Sequence, residues 1–231
     1  MFAVVFEVRL KPERREEYLA LARFLKPRLE AVDGFIDNER FASRRRPDLV
    51  LSLSTWRDEK ALIRWRTEAD HHAVQEKGRF EVFEDYRLRV GEVTTDTAPP
   101  VGHAVRPTRA DETETSEARA LSLTEVALAG RPPADADAEA AGLAARLGLD
   151  SGRAGLIGHD VFESIYSPGR ILLLTLWRDI DAAGGWTPAE AAGCTPLRHR
   201  RVRVIRDYGM MDRREAPQFY PPVKAWAATP P

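Results

Sequence analysis

The sequence predicts an α+β protein built from two tandem copies of one unit. Residues 49–65 read LVLSLSTWRDEKALIRW and residues 170–186 read RILLLTLWRDIDAAGGW. Each stretch has an apolar run, then Trp-Arg-Asp, then a second tryptophan nine positions after the first. The same register continues upstream without a gap to Gly34 and Gly155, which indicates an internal duplication.

Composition restricts the class of protein. The 231 residues are 43% hydrophobic, which suffices for the cores of two domains of about 100 residues each. The formal net charge is -1, whereas a binder of duplex nucleic acid usually carries a basic excess, so we expect no nucleic-acid partner. The single cysteine, Cys194, excludes an intrachain disulfide and a cysteine metal cluster. No leader sequence and no apolar run approaching ~18 residues is present, so we expect a cytoplasmic protein without a membrane span.

The first copy, residues 1–94, shows elements in the order strand, helix, strand, strand, helix, strand. Pro12 and Glu13 open the first helix, since proline and acidic residues are favoured in a first turn. Asp58 is expected to cap the second helix, which is predicted as one continuous segment ended by Gly78. This order is the split β-α-β arrangement of a ferredoxin-like domain. Strands are predicted at residues 2–10, 35–43, 49–56 and 83–93, and helices at residues 12–32 and 59–77.

The second copy, residues 120–207, follows a Thr- and Pro-rich linker or strap at residues 95–119 that we expect to be extended. Its second helix is expected to be shortened, because its last strand arrives several residues early. The Pro-rich tail, residues 208–231, should be extended. Strands are predicted at residues 121–128, 156–164, 170–177 and 198–206, with a helix at residues 132–147 and a short helical piece at residues 187–193.

A family resemblance rests on the strand end, the following helix and the last strand of the first copy. The chain resembles the antibiotic-biosynthesis monooxygenase (ABM) superfamily, whose members fold as dimeric α+β barrels. The resemblance implies that two tandem ferredoxin-like domains form this barrel within one chain, as an intrachain pseudo-dimer. The residues that carry it are Trp56-Arg57-Asp58, Trp65, His71, Gln75, Gly78-Arg79 and Tyr86-Arg87-Leu88-Arg89-Val90.

Four residues of the first copy are candidates for a catalytic site. By the resemblance, Trp65 lines a pocket and donates its indole N–H, and His71 is the candidate base. Asn38 and Arg89 are candidate hydrogen-bond donors to an oxyanion, with His159 as the counterpart of Asn38. Each also suits a structural role, and Trp56 and Trp177 are expected to pack in the core. In a continuous helix His71 would lie about 600° around from Trp65, so the two rings are expected to point apart.

The function implied by the resemblance is oxidation of a small aromatic or polyketide-like molecule with O2, without a cofactor. One alternative is haem binding or haem degradation through His71. A second is a non-catalytic protein that binds small molecules or acts in stress responses. Further association of the fused chain into a homodimer is left open.

Overall fold

The described part of the chain contains eight strands, five α-helices and one π-helical turn. The computed structural model describes residues 1–129 and 142–217. The strands are β1 (Phe2–Leu10), β2 (Phe35–Ser43), β3 (Leu49–Trp56), β4 (Phe83–Asp96), β5 (Ala120–Leu128), β6 (Leu156–Ser164), β7 (Arg170–Trp177) and β8 (Cys194–Gly209). The helices are α1 (Arg15–Glu30), α2 (Glu59–Arg66), α3 (Ala69–Lys77), α4 (residues 142–146) and α5 (Ile180–Gly184).

The strands close into one antiparallel barrel in the order β1-β3-β2-β6-β7-β5-β8-β4. Each copy therefore contributes four adjacent strands, with β1 or β5 in a central position. The two copies join along β2–β6, where Phe41 pairs with Ser164, and along β4–β8, where Leu88 pairs with Tyr208. This confirms the prediction of two tandem ferredoxin-like units forming an intrachain α+β barrel.

The inner and outer faces of the barrel follow strand alternation. In β1, Ala3 and Val5 belong to the interior core, whereas Phe2 and Val4 pack outward with α1 and α2. The interior core is contiguous across both copies, so burial of apolar surface joins the two copies. It consists of Met1, Ala3, Val5, Phe41, Leu49, Leu51, Leu53, Val93, Leu121, Leu123, Phe162, Leu172, Leu174, Val202 and Val204.

The repeated Trp-Arg-Asp is a capped turn that both copies build in the same way. Asp58 accepts a hydrogen bond from the amide of Ala61 at 2.8 Å, and Asp179 accepts one from Ala182 at 2.7 Å. Each aspartate is therefore the N-cap of the helix that follows. The tryptophans before these turns, Trp56 and Trp177, are fully buried, as expected.

A glycine faces each of these turns. The amide of Arg57 donates to the carbonyl of Gly34, and the amide of Arg178 donates to that of Gly155, each at 2.8 Å. Gly34 has φ +90° and Gly155 has φ +81°, and an added Cβ would lie within 2.6 Å of an alanine Cβ at either position. Only glycine fits both constraints, which explains why the repeat extends back to these positions.

The prediction of one continuous helix over residues 59–77 is wrong. It breaks at Thr67 and Glu68 into α2 and α3, because Glu68 adopts an extended backbone (φ −66°, ψ 132°) and caps α3. Gly78 does not end the helix either, since a π-helical turn continues over Gly78–Val82.

Three smaller predictions also differ from the structure. The first helix begins at Arg15 because Glu13 takes a positive φ of 63° in a preceding turn. Residues 187–193 are not helical: the short helix lies earlier, at α5, where Asp179 caps it, and Pro188 follows without an amide hydrogen. Strands β4 and β8 are longer than predicted, so Tyr208 and Gly209 belong to β8 rather than to a tail.

The segment between the copies lies against β4 and β8. Residues 97–119 contain no helix or strand, whereas Thr95 and Asp96, which were assigned to the strap, belong to β4. Glu92, which is 1% exposed, accepts hydrogen bonds from the amides of Thr108 and Arg109 at 2.9 and 2.8 Å. The amide of Thr113 donates to the carbonyl of Val204 at 2.8 Å. The predictions for residues 132–141 and 218–231 fall outside the described residues.

Candidate active site

Trp65 and His71 form a stacked pair on the helix-covered face of the first copy. Their ring centroids lie 4.1 Å apart with an angle of 13° between the ring planes. The expectation that these rings point apart was wrong, because it assumed a continuous helix. The break between α2 and α3 turns the chain back, so that the first turn of α3 lies over the end of α2.

Capping interactions at this break position His71. The carboxylate of Glu68 accepts a hydrogen bond from the amide of His71 at 2.7 Å, which fixes the start of α3. The hydroxyl of Thr67 donates to the carbonyl of Ile63 at 3.0 Å, which closes the last turn of α2. The position of the histidine ring is therefore set by local backbone hydrogen bonds.

The hydrogen bonds of His71 define its tautomer. Its Nδ1 lies 2.9 Å from the carbonyl oxygen of Trp65, which can only accept, so Nδ1 carries the proton. Nε2 is then the unprotonated nitrogen, and the side-chain amide of Gln75 donates to it at 3.3 Å. Burial lowers the pKa of His71 from 6.5 to about 4, although the Trp65 carbonyl and Glu68 favour its charged form. The imidazole is thus neutral at neutral pH, with a lone pair on Nε2.

Asn38 lies on the same outer face of the sheet, in β2. Its Nδ2 donates to the hydroxyl of Ser52 and to the carbonyl of Leu53, both at 3.0 Å. Both amide hydrogens are therefore engaged within the sheet. In this arrangement Asn38 offers an oxygen acceptor, not the free donor that was expected.

Arg89 is not part of this cluster. It pairs with Val5 across β1–β4, so its side chain points into the barrel, on the opposite face from Trp65 and His71. There it is 8% exposed, donates to Asp207 at 3.1 Å and forms an ion pair with Glu7. The structure brings Trp65 and His71 together, places Asn38 on their face, and separates Arg89 from them.

The second copy contains a tryptophan–histidine pair that sequence reasoning missed. Trp186 packs edge-to-face on His199, with ring centroids 5.5 Å apart and 82° between the planes. His199 comes from β8 rather than from a helix. The only sequence signal for it is its position in the predicted strand 198–206, and that strand carries nothing that indicates its contact with Trp186.

A small cleft lies where β2 meets the second copy. Its volume is about 80 Å³, and it is lined by Asp37, Asn38, Glu39, Leu53, Glu125, Arg170, Arg198 and Arg200. Its charges are paired with one another: Arg198 with Asp37 at 3.1 Å and Arg200 with Glu125 at 2.8 Å. Because Asp37 belongs to the first copy and Arg198 to the second, the cleft lies at the joint between the copies.

Within residues 1–129 and 142–217, no three His, Cys, Asp or Glu side chains are grouped so that they could hold a metal ion. No helix in the described part of the chain is long and apolar enough to cross a membrane.

The fold and this site define a fused version of a dimeric α+β barrel, with a partly buried histidine and tryptophan on its helix-covered face. The family model for antibiotic biosynthesis monooxygenases matches residues 1–77. Over 223 residues the chain is 42% identical to the jasmonate monooxygenase ABM of Pyricularia oryzae (strain 70-15), covering 96% of this chain and 99% of that protein. The chain belongs to the antibiotic biosynthesis monooxygenase family.

One solved structure agrees with the fold. An aldoxime dehydratase superposes with a TM-score of 0.53 at 12% identity, covering 88% of this chain and 80% of that one. A putative monooxygenase from Fusobacterium nucleatum matches with a TM-score of 0.40 at 11% identity, covering 89% and 93% of the two chains. At 12% identity the likeness to the aldoxime dehydratase concerns the fold alone.

Proposed function

We propose that the first copy is a monooxygenase site that oxidises a small, enolisable organic molecule with O2. The observation that supports this most directly is the state of His71. Its imidazole is neutral, its tautomer is fixed by the Trp65 carbonyl, and its Nε2 lone pair lies beside an aromatic wall. Such a group is suited to accept a proton from carbon or from a phenol.

The proposed reaction needs no external reductant. His71 Nε2 takes a proton from a methylene next to a carbonyl, and the carbanion transfers electrons to O2. The resulting hydroperoxide loses water and leaves a carbonyl. Overall, one methylene group and one O2 molecule give one carbonyl group and one water molecule, so the substrate carbon loses the four electrons that O2 gains. Cofactor independence is part of this proposal.

Trp65 and Gln75 serve distinct roles in this scheme. The indole of Trp65 stacks on the base and walls the site, and its N–H is the available donor for the developing oxyanion. The amide of Gln75, 3.3 Å from Nε2, holds the histidine ring until substrate replaces it. Arg89 is omitted because it lies across the sheet, and Asn38 is retained only as an acceptor.

Two classes of substrate are proposed for the first copy. The family resemblance supports an anthrone-like aromatic ketone. The name of the Pyricularia relative adds jasmonate, whose ketone acidifies the neighbouring C–H bonds. Both are small and largely apolar, as the surroundings of Trp65 require: it packs on the cluster of Phe2, Val4, Leu29, Trp56, Ala61, Val90 and Ile205.

Haem binding through His71 is the alternative proposal. An iron ligand would need the same Nε2 lone pair, and Gln75 would have to turn away from it. A cytoplasmic location and a further homodimer also stay predictions.

The test is O2 uptake with anthrone and with jasmonate, alongside a haem titration followed by absorbance. His71→Ala should lower kcat/KM about 100-fold or more, the usual contribution of a general base. His72→Ala is the matched control, since this neighbour is exposed, and it should stay within about twofold of the wild-type value. Equal losses in both variants, or no O2 uptake with either substrate, would contradict the proposal. A saturable Soret band lost only in His71→Ala would favour haem.

A further inference from the structure

The outer face of the sheet differs in polarity between the two copies, beneath Trp65 in the first copy and Trp186 in the second. Phe2 pairs with Trp56 and Ala120 with Trp177, which sets the equivalence of β1 with β5. Four equivalent positions on the outer face of β1–β4 and β5–β8 follow from the registers. They are Val4, Phe6, Leu88 and Val90 in the first copy, and Ser122, Thr124, His199 and Arg201 in the second.

Part of this polar face is satisfied internally. The indole N–H of Trp177 lies 3.0 Å from the hydroxyl of Ser122 and 2.9 Å from that of Thr175. Nδ1 of His199 lies 2.9 Å from the hydroxyl of Thr124. These buried groups therefore satisfy one another by hydrogen bonds.

Two ring nitrogens beside this set are buried without a partner. Trp186 is 2% exposed and His199 is 6% exposed. Neither Nε1 of Trp186 nor Nε2 of His199 has a hydrogen-bond partner among the described residues. Leaving a buried polar group unpaired costs roughly 1–3 kcal/mol, so two such groups in contacting side chains require a reason.

The tautomer of His199 follows from Thr124. If Nδ1 carried the proton, the Thr124 hydroxyl would accept it and its own hydrogen would lack a recipient among the described residues. If Thr124 donates to Nδ1, the hydroxyl is satisfied and the imidazole proton lies on Nε2. The second assignment leaves fewer unpaired groups, and it makes both unpartnered ring nitrogens donors.

Arg201 adds positive charge to the same face. Its Nη2 donates to the carbonyl of Trp186 at 2.8 Å and to the hydroxyl of Thr187 at 3.0 Å, while its Nε is buried without a partner among the described residues. The pKa of His199 is lowered to about 4, first by burial and then by Arg201, so the ring is neutral at neutral pH. The N–H donors of Trp186 and His199 and the guanidinium of Arg201 therefore belong to one group of contacting residues.

We propose that Trp186, His199 and Arg201 form a second binding site, in the second copy, for the carboxylate group of a small organic acid. A carboxylate accepts several hydrogen bonds and forms charge-assisted ones with arginine, so it matches a set made only of donors. Residues 186–190 form neither helix nor strand, so admitting a ligand beneath Trp186 breaks no strand pairing. This proposal does not depend on the function proposed for the first copy.

The test uses benzoate as the probe and benzyl alcohol, which keeps the ring but lacks the carboxylate, as its control. Binding is followed by ¹H–¹⁵N spectra of the tryptophan indole N–H groups in the full-length protein. The Trp186 resonance is identified by its absence in Trp186→Phe. We expect a saturable downfield shift of this resonance with benzoate and at least tenfold weaker binding of benzyl alcohol.

Variants locate the site. His199→Leu should weaken benzoate binding at least tenfold, and Arg201→Gln should weaken it while reducing its dependence on salt. His72→Ala, which replaces an exposed histidine of the first copy, is the control and should leave benzoate affinity unchanged. If the Trp186 resonance does not move with benzoate, the unpaired nitrogens are satisfied by water alone and the proposal fails. The proposal also fails if the shift persists in His199→Leu or follows benzyl alcohol equally.

Discussion

The two copies share the same sheet and the same capped turn, yet they differ in what lies over the sheet. The first copy covers an apolar face with α2 and α3, and its histidine comes from a helix. The second covers a polar patch on β5 and β8 with the five-residue α5 and a loop, and its histidine comes from a strand. The features kept in both copies, Asp58 and Asp179 among them, build the turn. The positions that differ between the copies lie on the outer face of the sheet, under the helices. Their side chains determine which ligands each copy could bind.

The largest expected difference concerns two equivalent glutamates inside the barrel, Glu7 and Glu125. Glu125 is 2% exposed and pairs with Arg200, which is 1% exposed, whereas Glu7 pairs with the less buried Arg89. Glu125→Leu leaves a buried guanidinium without its partner and should lower the unfolding free energy by about 3–5 kcal/mol. Glu7→Leu should cost about 1–2 kcal/mol, because Arg89 keeps Asp207.

Urea denaturation of both variants measures this difference. The double variant Glu125→Leu/Arg200→Met should regain most of the loss, since no buried charge is then left alone. Equal costs for Glu7→Leu and Glu125→Leu would show that the two copies contribute equally to the barrel interior.

The second prediction concerns pH, where the two copies should agree. Burial lowers the pKa of both His71 and His199 to about 4. The unfolded chain binds protons at a pKa near 6.5, so it holds more protons than the folded state between these values. Stability should be complete above pH 6.5 and fall as the pH decreases toward 4, by about 2 kcal/mol per histidine between pH 7 and pH 5.

Unfolding free energies measured from pH 7.5 to pH 5 test this, with His71→Gln and His199→Gln as separate variants. Each variant should remove about 2 kcal/mol of the pH dependence in this window, and His159, whose pKa is also lowered by burial, accounts for part of what remains. If one variant changes nothing, folding does not lower the pKa of the histidine in that copy.

The third prediction compares two neighbouring tryptophans of the second copy. Trp177→Phe and Trp186→Phe both remove buried ring volume, and Trp177→Phe also removes an indole N–H that two hydroxyls accept. The N–H lost in Trp186→Phe has no described partner, so this variant should cost about 1–2 kcal/mol less than Trp177→Phe in buffer free of carboxylates. Thermal or urea unfolding distinguishes them, and a larger loss at Trp186 would mean that its N–H is paired in the native protein.

The smallest effects should come from the caps. Asp58→Ala and Asp179→Ala should each cost about 1 kcal/mol, because each removes one side-chain cap at an equivalent turn. Glu68→Ala should cost a similar amount and also lower activity, since its carboxylate fixes the start of the helix that bears His71. An Asp58→Ala variant that lost as much activity as Glu68→Ala would argue against this specific role.

Most of the fold could be predicted from the repeat, whereas the sites could not. Strands β2, β3, β6 and β7 have the predicted bounds, because apolar runs bounded by turns are local signals. The contact between Trp65 and His71 escaped prediction because one glutamate, Glu68, caps a helix within an otherwise helical stretch. His199 escaped because its contact with Trp186 is tertiary.

Fusion of the two copies has a consequence for how such a barrel can diverge. In a symmetric dimer of identical chains, every substitution appears twice, on both sides of the two-fold axis. In this chain the seams β2–β6 and β4–β8 join unlike partners, so a residue can change on one side while the other keeps its original form. The contrast between Val4, Phe6, Leu88 and Val90 in one copy and Ser122, Thr124, His199 and Arg201 in the other is such a one-sided difference. Closure within a single polypeptide thus lets the two halves of one barrel carry different chemistry.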